Sequence, residues 1–316
     1  MLVRFGYVAI ALGVPEGSPN KTVSVKTVEK IADPADRIGR LRRLMLANLE
    51  TTLRILRYNA AHGISLYRFT SKTVPLATHP VAAGWDYVAD GQPLWREIGA
   101  FIAARGLRVS AHPDHFTLLN SPDEAVLVAA LQDLDYHARL FEAMGFAPFP
   151  SLVLHVGGRY AEKSAALGRF ADRFARLPGR LAGRLMLEND DKIFTAGEVL
   201  ALCERLGRPM VLDIHHHRCN GGDDLAALWP RIVATWAGGI PKIHVSSPKG
   251  ARDLRAHADH VDPGDVLPFL RLAAAFGRDL DVMVEAKRKD EAMFRLVDAL
   301  AAAPGVRRAG PAALEL

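Results

Sequence analysis

Short apolar or β-branched runs alternate along the chain with longer segments whose apolar residues recur at helical spacing. Eight short runs predict β-strands, at residues 2–10, 64–69, 107–112, 151–156, 184–189, 209–214, 241–246 and 281–286. The longest helical pattern extends from Asp33 to His62, and further helices are predicted at 93–106, 121–145, 195–207 and 262–277. Ser121 is the expected N-cap of the third of these helices, and several of them end in glycine.

The order of these elements predicts one large domain. Eight βα units occur in 316 residues with no Ser/Gly/Pro-rich linker and no break in composition. This pattern favours a single (β/α)₈ TIM barrel formed by residues 1–316, which belongs to the α/β class. An open doubly wound sheet stays possible, because a count of elements does not prove that the sheet closes. The connections at 13–33 and 71–92 are unusually long, which is more often a functional than a decorative feature.

Composition restricts the setting more than the activity. With 49% hydrophobic and 24% charged residues, the chain has the composition of an ordinary globular protein. Its two cysteines, Cys203 and Cys219, are too few for a disulfide framework and are typical of a reducing cytoplasm. No apolar run approaches the roughly 20 residues of a membrane span, so no membrane association is expected. The net charge of +5 permits a polyanionic partner but does not identify one.

Histidines and carboxylates gather at the carboxyl ends of the predicted strands, where barrel enzymes carry their active sites. Six consecutive strand ends and their loops supply eight such residues: His112, His155, Glu188, Asp213, His216, His244, His257 and Glu285. Taken singly, each is more often a packed or ion-paired residue than a ligand. Together, carboxylates that converge in one barrel mouth would repel each other and lose hydration, unless cations neutralise them.

The types of residue in this set indicate the chemistry. Imidazole and carboxylate ligands without cysteine suit zinc, manganese or iron better than calcium. Eight side chains exceed the first shell of one ion, so two or three ions that share carboxylates are expected, with Glu188 as the best bridging candidate. Such a site suits in-line displacement at phosphorus.

Three consecutive histidines, 215 to 217, follow Asp213 closely. Adjacent side chains point in different directions, so the three imidazoles cannot all converge on one centre. Either Asp213 and one imidazole belong to the polar site, or the triplet is a solvated loop.

Several motifs in a fixed order resemble those of the UV damage endonucleases, which are (β/α)₈ relatives of the abasic-site endonuclease IV. The motifs are RFGYV (4–8), LATHP (76–80), SAHPDHF (110–116), LHVGG (154–158), LENDDK (187–192), LDIHHH (212–217), PKIHVSSPK (241–249), RAHADHVD (255–262) and MVEAKRKD (283–290). The resemblance covers essentially the whole chain, and LENDDK followed by PKIHVSSPK and VEAKRKD is highly specific in combination.

The resemblance implies a site of three divalent ions, usually manganese, with zinc or iron as possible occupants. It assigns His112, His155 and Glu188 to the first ion, Glu188, Asp213, His244 and Glu285 to the second, and Asp213, His216 and His257 to the third. Glu188, Lys242 and His244 are the catalytic candidates, and Lys242 matches a lysine that family members carry carboxylated beside the metals. His216 is thereby selected from the triplet.

The resemblance also implies the reaction and the partner. Incision is expected immediately 5′ to UV photoproducts in damaged double-stranded DNA, with abasic sites as further substrates, which would initiate excision repair. No obligatory protein partner is expected, and the protein should be cytoplasmic and associate with the nucleoid when it acts. Tyr7, His79, His115, Phe116 and Lys249 are the candidate DNA or lesion contacts. The His115–Phe116 pair departs from the family pattern, in which glutamine precedes tyrosine or phenylalanine, and Ile10 stands near the place of an asparagine in some members.

Two other functions stay open at this stage. A metal-dependent sugar isomerase or epimerase of the xylose-isomerase-like superfamily also places Glu, Asp and His at strand ends, but with fewer histidines and one or two ions. A non-catalytic protein that binds damaged DNA is the second alternative. The open, oxygen-rich ligand set argues against it, because structural zinc sites are normally closed and rich in cysteine.

Overall fold

A computed structural model describes all residues from 1 to 316 and shows a closed parallel barrel. The strands are β1 (Leu2–Val8), β2 (Leu66–Phe69), β3 (Arg108–Ala111), β4 (Leu152–His155), β5 (Leu185–Glu188), β6 (Met210–Asp213), β7 (Lys242–Val245), β8 (Pro248–Gly250), β9 (Asp253–His257), β10 (Leu280–Val284), β11 (Arg307–Gly310) and β12 (Ala313–Glu315). Strands β1 to β7 and β10 pair in order, and parallel pairing of β10 with β1 closes the barrel. The predicted (β/α)₈ fold is therefore confirmed.

Helices cover the outside of the barrel. They are α1 (Val25–Glu29), α2 (Pro34–Ala61), α3 (Tyr87–Arg105), α4 (Glu124–Ala143), α5 (Lys163–Phe174), α6 (Gly179–Ala182), α7 (Ala196–Leu206), α8 (Ile214–Asn220), α9 (Leu225–Ala234), α10 (Pro263–Ala274) and α11 (Lys289–Ala301), with one 3₁₀ turn at Pro80–Ala82. None of these helices has both the length and the apolar character that crossing a membrane requires.

Local capping explains where the helices begin. Asp33 caps α2, and Thr195 forms a capping box with Glu198 at the start of α7. The predicted N-cap Ser121 is wrong: Asp123 caps α4 by accepting hydrogen bonds from the amides of Ala125 and Val126, and Ser121 accepts one from Asp123. The glycines predicted to end helices, at 63, 106, 145, 207 and 277, all have left-handed φ angles.

Two hairpins depart from the predicted pattern. All eight barrel strands are where the pattern predicts them, with ends that differ by at most two residues. The hairpin β8–β9 is inserted between the last two barrel strands, and the hairpin β11–β12 pairs with the first half of β1. Both are short and largely exposed, so neither has the alternation of a half-buried strand.

The strands separate two packed regions. The main core lies between the barrel and its helices and contains 69 buried residues. Inside the barrel, Val153, Met186 and Val211 form a separate small cluster. Side chains alternate between these two regions along every strand. Consequently the last inward-facing position of each strand, one step above this cluster, places its side chain at the barrel mouth.

Candidate metal centre at the barrel mouth

The polar cluster at the mouth follows from this alternation. His155, Glu188 and Asp213 each lie two residues beyond an inward-facing residue of the small apolar cluster. Neighbouring strands place these positions side by side, with His155 beside Glu188 and Asp213 beside His244. Inward-facing polar residues at the end of six strands therefore meet above a small apolar plug.

Glu188 is the centre of the cluster and is 1% exposed. Its Oε2 lies 2.9 Å from Nε2 of His112 and 3.5 Å from Nε2 of His155. Its Oε1 lies 2.7 Å from Nδ1 of His244 and 3.8 Å from Nδ1 of His216. The two oxygens of one carboxylate thus face two different sets of imidazoles, as a bridging ligand requires.

Two groups of potential ligand atoms are compact enough to surround an ion, since the atoms of each lie within 4.8 Å of one another. The first group is His112, His155 and Glu188, and the second is Glu188, Asp213, His244 and Glu285. These are the first two ligand sets implied by the family resemblance. Glu188 belongs to both groups, so two ions held there would share it.

The third expected set is less closely gathered. Nδ1 of His216 lies 3.7 Å from Oδ2 of Asp213, whereas Nδ1 of His257 lies 3.8 Å from Oε2 of Glu285. The rings of His216 and His257 have centroids 6.4 Å apart. Asp213, His216 and His257 therefore line one side of the mouth without forming a third compact group.

Electrostatics prepare Glu188 and His155 for ligation. Burial alone would raise the pKa of Glu188, but the imidazoles of His244 and His155 and the hydrogen bonds of His112 and His244 hold it well below its ordinary value. Burial lowers the pKa of His155 to about 4, although Glu188 opposes this. At neutral pH the carboxylate is therefore charged, and the imidazole keeps a free lone pair.

Asp213 and His216 carry the opposite perturbation. Burial, assisted by Glu188 and Glu285, raises the pKa of Asp213 to about 7 against the attraction of His216. Burial would lower the pKa of His216, but Asp213, Glu188 and Glu285 raise it to about 9. Without a cation, the cluster therefore takes up protons to offset its crowded carboxylates.

The donor set fits divalent cations. Glu188 and Asp213 are buried, and Oδ2 of Asp213 has no hydrogen-bond partner although it is out of contact with solvent. A buried carboxylate oxygen without a partner is costly, and a cation at that point removes the cost. Asp213 is held in place by its other oxygen, which accepts a hydrogen bond from the amide of His216. The residues are thus suited to hold metal ions between the carboxylates and imidazoles.

The histidine triplet lies in α8 and not in a solvated loop. His216 is the one imidazole of the three that reaches Glu188 and Asp213. His215 instead faces His257 and lies 3.8 Å from the thiol of Cys219. His217 is partly exposed on the other side of the short helix.

Lys242 lies deeper in the barrel than the ligand candidates. It precedes His244 by two residues and therefore lies about 7 Å lower along β7. Burial lowers its pKa to about 8, with Asp281 opposing and Arg108 and Arg68 assisting. Lys242 is thus a buried amine beneath the mouth.

Arg68 is a site residue that the sequence reasoning missed. It lies on the inner side of β2, is 9% exposed, and forms an ion pair with Glu285. The alternation in Leu66–Phe69 could have revealed it, because Arg68 lies between two aromatic residues and must face the opposite side of the sheet. In the structure, Tyr67 and Phe69 contact each other and Phe69 contacts Phe141 of α4, so Arg68 points into the barrel.

Tyr7 does not lie at the mouth, where the predicted DNA contacts would be. Tyr7 points outward into the helix layer, is 0% exposed, and donates a hydrogen bond to Asn59 of α2. It is a core residue, because its position along β1 faces the helices. His79 lies on the connection after β2, where it caps the 3₁₀ turn by accepting a hydrogen bond from the amide of Val81 and lines a groove beside Trp85.

His115, Phe116 and Lys249 are exposed at the mouth. His115 and Phe116 follow β3, and their rings make an edge contact at 5.9 Å. Phe116 is 48% exposed, unlike nearly all other large apolar residues. Lys249 lies on the hairpin β8–β9 and is exposed as well.

Together, the closed barrel and its buried His/Glu/Asp cluster define a (β/α)₈ protein with a candidate metal centre at the carboxyl ends of its strands. The UV-endonuclease UvdE family model matches residues 3–316, and the chain belongs to this family. It is 41% identical to the UV DNA damage endonuclease of Bacillus cereus (strain B4264) over 318 residues, which covers 100% of both chains. The same identity and coverage relate it to the UV DNA damage endonuclease of Bacillus mycoides (strain KBAB4).

Solved structures agree with this membership. The crystal structure of SacUVDE superimposes with a TM-score of 0.83 and 29% identity, and the match covers 94% of this chain and 98% of that chain. Endonuclease IV from Thermus thermophilus shares the fold, with a TM-score of 0.56 and 15% identity over 95% of this chain and 98% of that one. An L-ribulose 3-epimerase also shares the fold, with a TM-score of 0.50 at 20% identity over 82% of each chain. The family model and the curated relatives are UV endonucleases, so a sugar isomerase is not favoured.

Proposed function

We propose that this protein is a metal-dependent DNA repair endonuclease that nicks damaged duplex DNA immediately 5′ to UV photoproducts and abasic sites. The observation that carries the proposal is the convergence of six strand ends on Glu188, whose two oxygens face two compact groups of ligand atoms. Membership of the UV-endonuclease family supports DNA as the substrate.

The metal assignment follows the geometry of the mouth. His112, His155 and Glu188 would hold one divalent ion, and Glu188, Asp213, His244 and Glu285 a second, with His216 and His257 completing a third position beside Asp213. Three manganese ions are proposed, because mixed imidazole and carboxylate ligands suit manganese as well as zinc or iron. When bound, such ions supply Lewis-acid stabilisation of the attacked phosphate and the leaving oxygen.

The residues of the chain prepare this centre. Glu188 is held ionised by His244 and its other neighbours, so it would hold divalent ions without first losing a proton. His244 is fully buried between Glu188 and Glu285, at 2.7 and 3.1 Å, which fixes its ring. We assign Lys242, which lies below the ligand candidates in the barrel, a supporting role in catalysis. With a pKa near 8, part of its amine is uncharged at neutral pH, and this is the form that can be carboxylated.

The distribution of lysine supports the mouth of the barrel as the face that would bind DNA. Nine of the ten lysines lie on the connections that leave the carboxyl ends of barrel strands, or at the first residue of the next helix. They are Lys21, Lys26, Lys30, Lys72, Lys163, Lys192, Lys249, Lys287 and Lys289. Lysines gathered around the candidate centre provide the sequence-independent attraction to phosphates that DNA binding requires.

Damage recognition would rest on deformation of the duplex. A dimer or an abasic site stacks poorly, so displacing it costs less than the few kcal/mol needed for a normal nucleotide. Phe116 is exposed at the mouth and can insert between base steps, and His115 beside it can donate a hydrogen bond. Selection by deformability explains how one site would accept chemically different lesions.

The decisive experiment is incision of an end-labelled duplex that carries one cyclobutane pyrimidine dimer, with manganese and then with a chelator. We expect a manganese-dependent nick immediately 5′ to the dimer and none in an undamaged duplex. Glu188→Gln should reduce the rate by more than about 100-fold, since even residues that only orient metal ligands contribute about 10- to 100-fold.

The matched control is Glu204→Gln, which neutralises an exposed carboxylate on α7 that pairs with Arg231. It should leave the rate unchanged. Metal content and circular dichroism of Glu188→Gln separate loss of ions from loss of fold. Equal cutting of the intact duplex, or full activity in the chelator, would contradict the proposed function. Full activity of Glu188→Gln would remove the bridging role alone.

A further inference from the structure

The mouth contains a cavity of about 360 Å³ beside the candidate metal centre. The connections after β1, β2, β3 and β10 surround it, and His112 and Glu285 form its boundary with the centre. Arg68, Lys289 and Asn20 also line it. The cavity therefore opens onto the candidate centre and is lined by two basic side chains, Arg68 and Lys289.

Lys289 has two unusual properties. Its φ angle is +47°, a left-handed conformation that strains a residue with a side chain and often occurs at functional sites. Its side chain is partly buried near Arg68 and Glu285, yet Glu285 forms its ion pair with Arg68. Lys289 thus combines a strained backbone with an ammonium group that lines the cavity and has no acidic partner.

Its neighbours also have unused capacity to bind an anion. Glu285 is a ligand candidate, so an ion bound there would neutralise the acid that now pairs with Arg68. Asp114, the other acid of the cavity wall, accepts a hydrogen bond from Ser71. Two cations therefore line the cavity: Lys289 pairs with no acid, and Arg68 would lose its pairing when Glu285 ligates an ion.

We propose that Lys289 and Arg68 form a subsite that binds one phosphodiester of the DNA strand next to the phosphodiester that is cut. This inference rests on the proposed function. Because the metal centre would take the incised phosphate, the adjoining cavity receives a neighbouring phosphate of the same strand. The subsite fixes the register of the strand, since phosphate contacts position DNA without reading its sequence.

The test is single-turnover incision of the dimer duplex over a series of enzyme concentrations and salt concentrations. Lys289→Met should raise the half-saturating enzyme concentration by about 10- to 100-fold, the range for one lost bond to a charged group. It should also reduce the slope of log affinity against log salt by about 0.9, which corresponds to one phosphate contact. Lys289→Arg should keep the slope of the wild type.

Two further variants control for charge and for folding. Arg205→Met removes an exposed cation near the carboxyl end of α7, at the opposite end of the barrel, and should change neither quantity. Lys289→Gly removes the ammonium but suits the left-handed backbone, so it should fold at least as well as the wild type and show the same loss of slope as Lys289→Met.

A direct contact is identified by neutral methylphosphonates placed one at a time around the cut. At the position of the phosphate that Lys289 contacts, Lys289→Met should cause no further loss of affinity. The methylphosphonate has already removed the charge that Lys289 binds. Wild-type slopes for both Lys289→Met and Lys289→Gly, with additive effects at every position, would overturn the subsite. A wild-type protein that does not incise the dimer duplex would instead overturn the proposed function.

Discussion

Asp290 fastens the connection after β1 to the barrel, and its replacement by asparagine tests this role. The carboxylate is 0% exposed and accepts three hydrogen bonds. Oδ1 accepts one from the amide of Leu12 at 2.6 Å, while Oδ2 accepts from the amide of Gly13 and the hydroxyl of Tyr58, both at 3.0 Å. The packing around Gly13 is tight, since a Cβ at this position would lie 2.5 Å from the Tyr58 hydroxyl.

Asparagine cannot satisfy this arrangement in either orientation. If its carbonyl faces Leu12, its amide NH₂ faces the N–H of Gly13, and the reverse orientation leaves the N–H of Leu12 facing a donor. Tyr58 can adapt, because a hydroxyl both donates and accepts. One partly buried N–H loses its partner in either case, which costs about 1–3 kcal/mol, and the remaining bonds lose the strength that the charge gave them. We expect a total of about 2–4 kcal/mol.

Hydrogen exchange measures this local loss. Exchange protection of the Leu12 and Gly13 amides should fall by about 30- to 1,000-fold in Asp290→Asn, since about 1.4 kcal/mol corresponds to a factor of ten. Glu291→Gln is the matched control: it neutralises the adjacent residue, whose exposed carboxylate pairs with Arg288, and should change protection less than about threefold. Unchanged protection in Asp290→Asn would refute the reasoning.

Two further predictions concern recognition and pH. Phe116→Ala should lower the preference for dimer-containing over intact duplex by about 10-fold, because about 1–3 kcal/mol of stacking is lost, while manganese affinity stays constant. Titration of the protein with both duplexes measures this preference. An equal loss of affinity for both duplexes would contradict insertion of Phe116. In the metal-free protein, the raised pKa values of His216 (about 9) and Asp213 (about 7) contribute stability that is present at low pH and is lost as pH rises through them. Because the lowered pKa values of His155 and Lys242 act in the opposite direction, the test compares the wild type with His216→Gln in chelator. The difference in their free energies of unfolding should fall by about 1.5 kcal/mol between about pH 6.5 and 8, and a constant difference would contradict the assignment.

The barrel strands were predictable because each is a short apolar run between polar connections. Their ends and the capping residues were less so: Ser121 and Asp123 are both good N-caps, and only the geometry of the chain selects Asp123. The hairpin β8–β9 could not be found by periodicity, because it is held by contacts with α8, such as the thiol of Cys219 near the carbonyl of Leu254, and buries little of its own.

For the candidate site, the position of a residue along its strand was a better guide to its place in the structure than the type of residue. Histidines and carboxylates near strand ends were identifiable as site residues because the carboxyl ends of all the barrel strands meet at the mouth. The direction of a side chain depends on odd or even position, and this separates Tyr7, which faces α2, from Arg68, which faces Glu285. The place of Lys289 in its motif gave no sign of its left-handed backbone, which depends on the turn that starts α11.

The same alternation explains why a costly polar cluster is compatible with a stable barrel. The main core lies outside the barrel, so its packing against the helices does not depend on what the mouth contains. Inside, Val153, Met186 and Val211 separate the cluster from the lower half of the barrel. Asp213 and Glu188 lie directly above this small apolar cluster, where the absence of water strengthens their electrostatic interactions with neighbouring charges. The cost of their burial is therefore confined to the mouth, where bound cations would offset it and where the substrate would arrive.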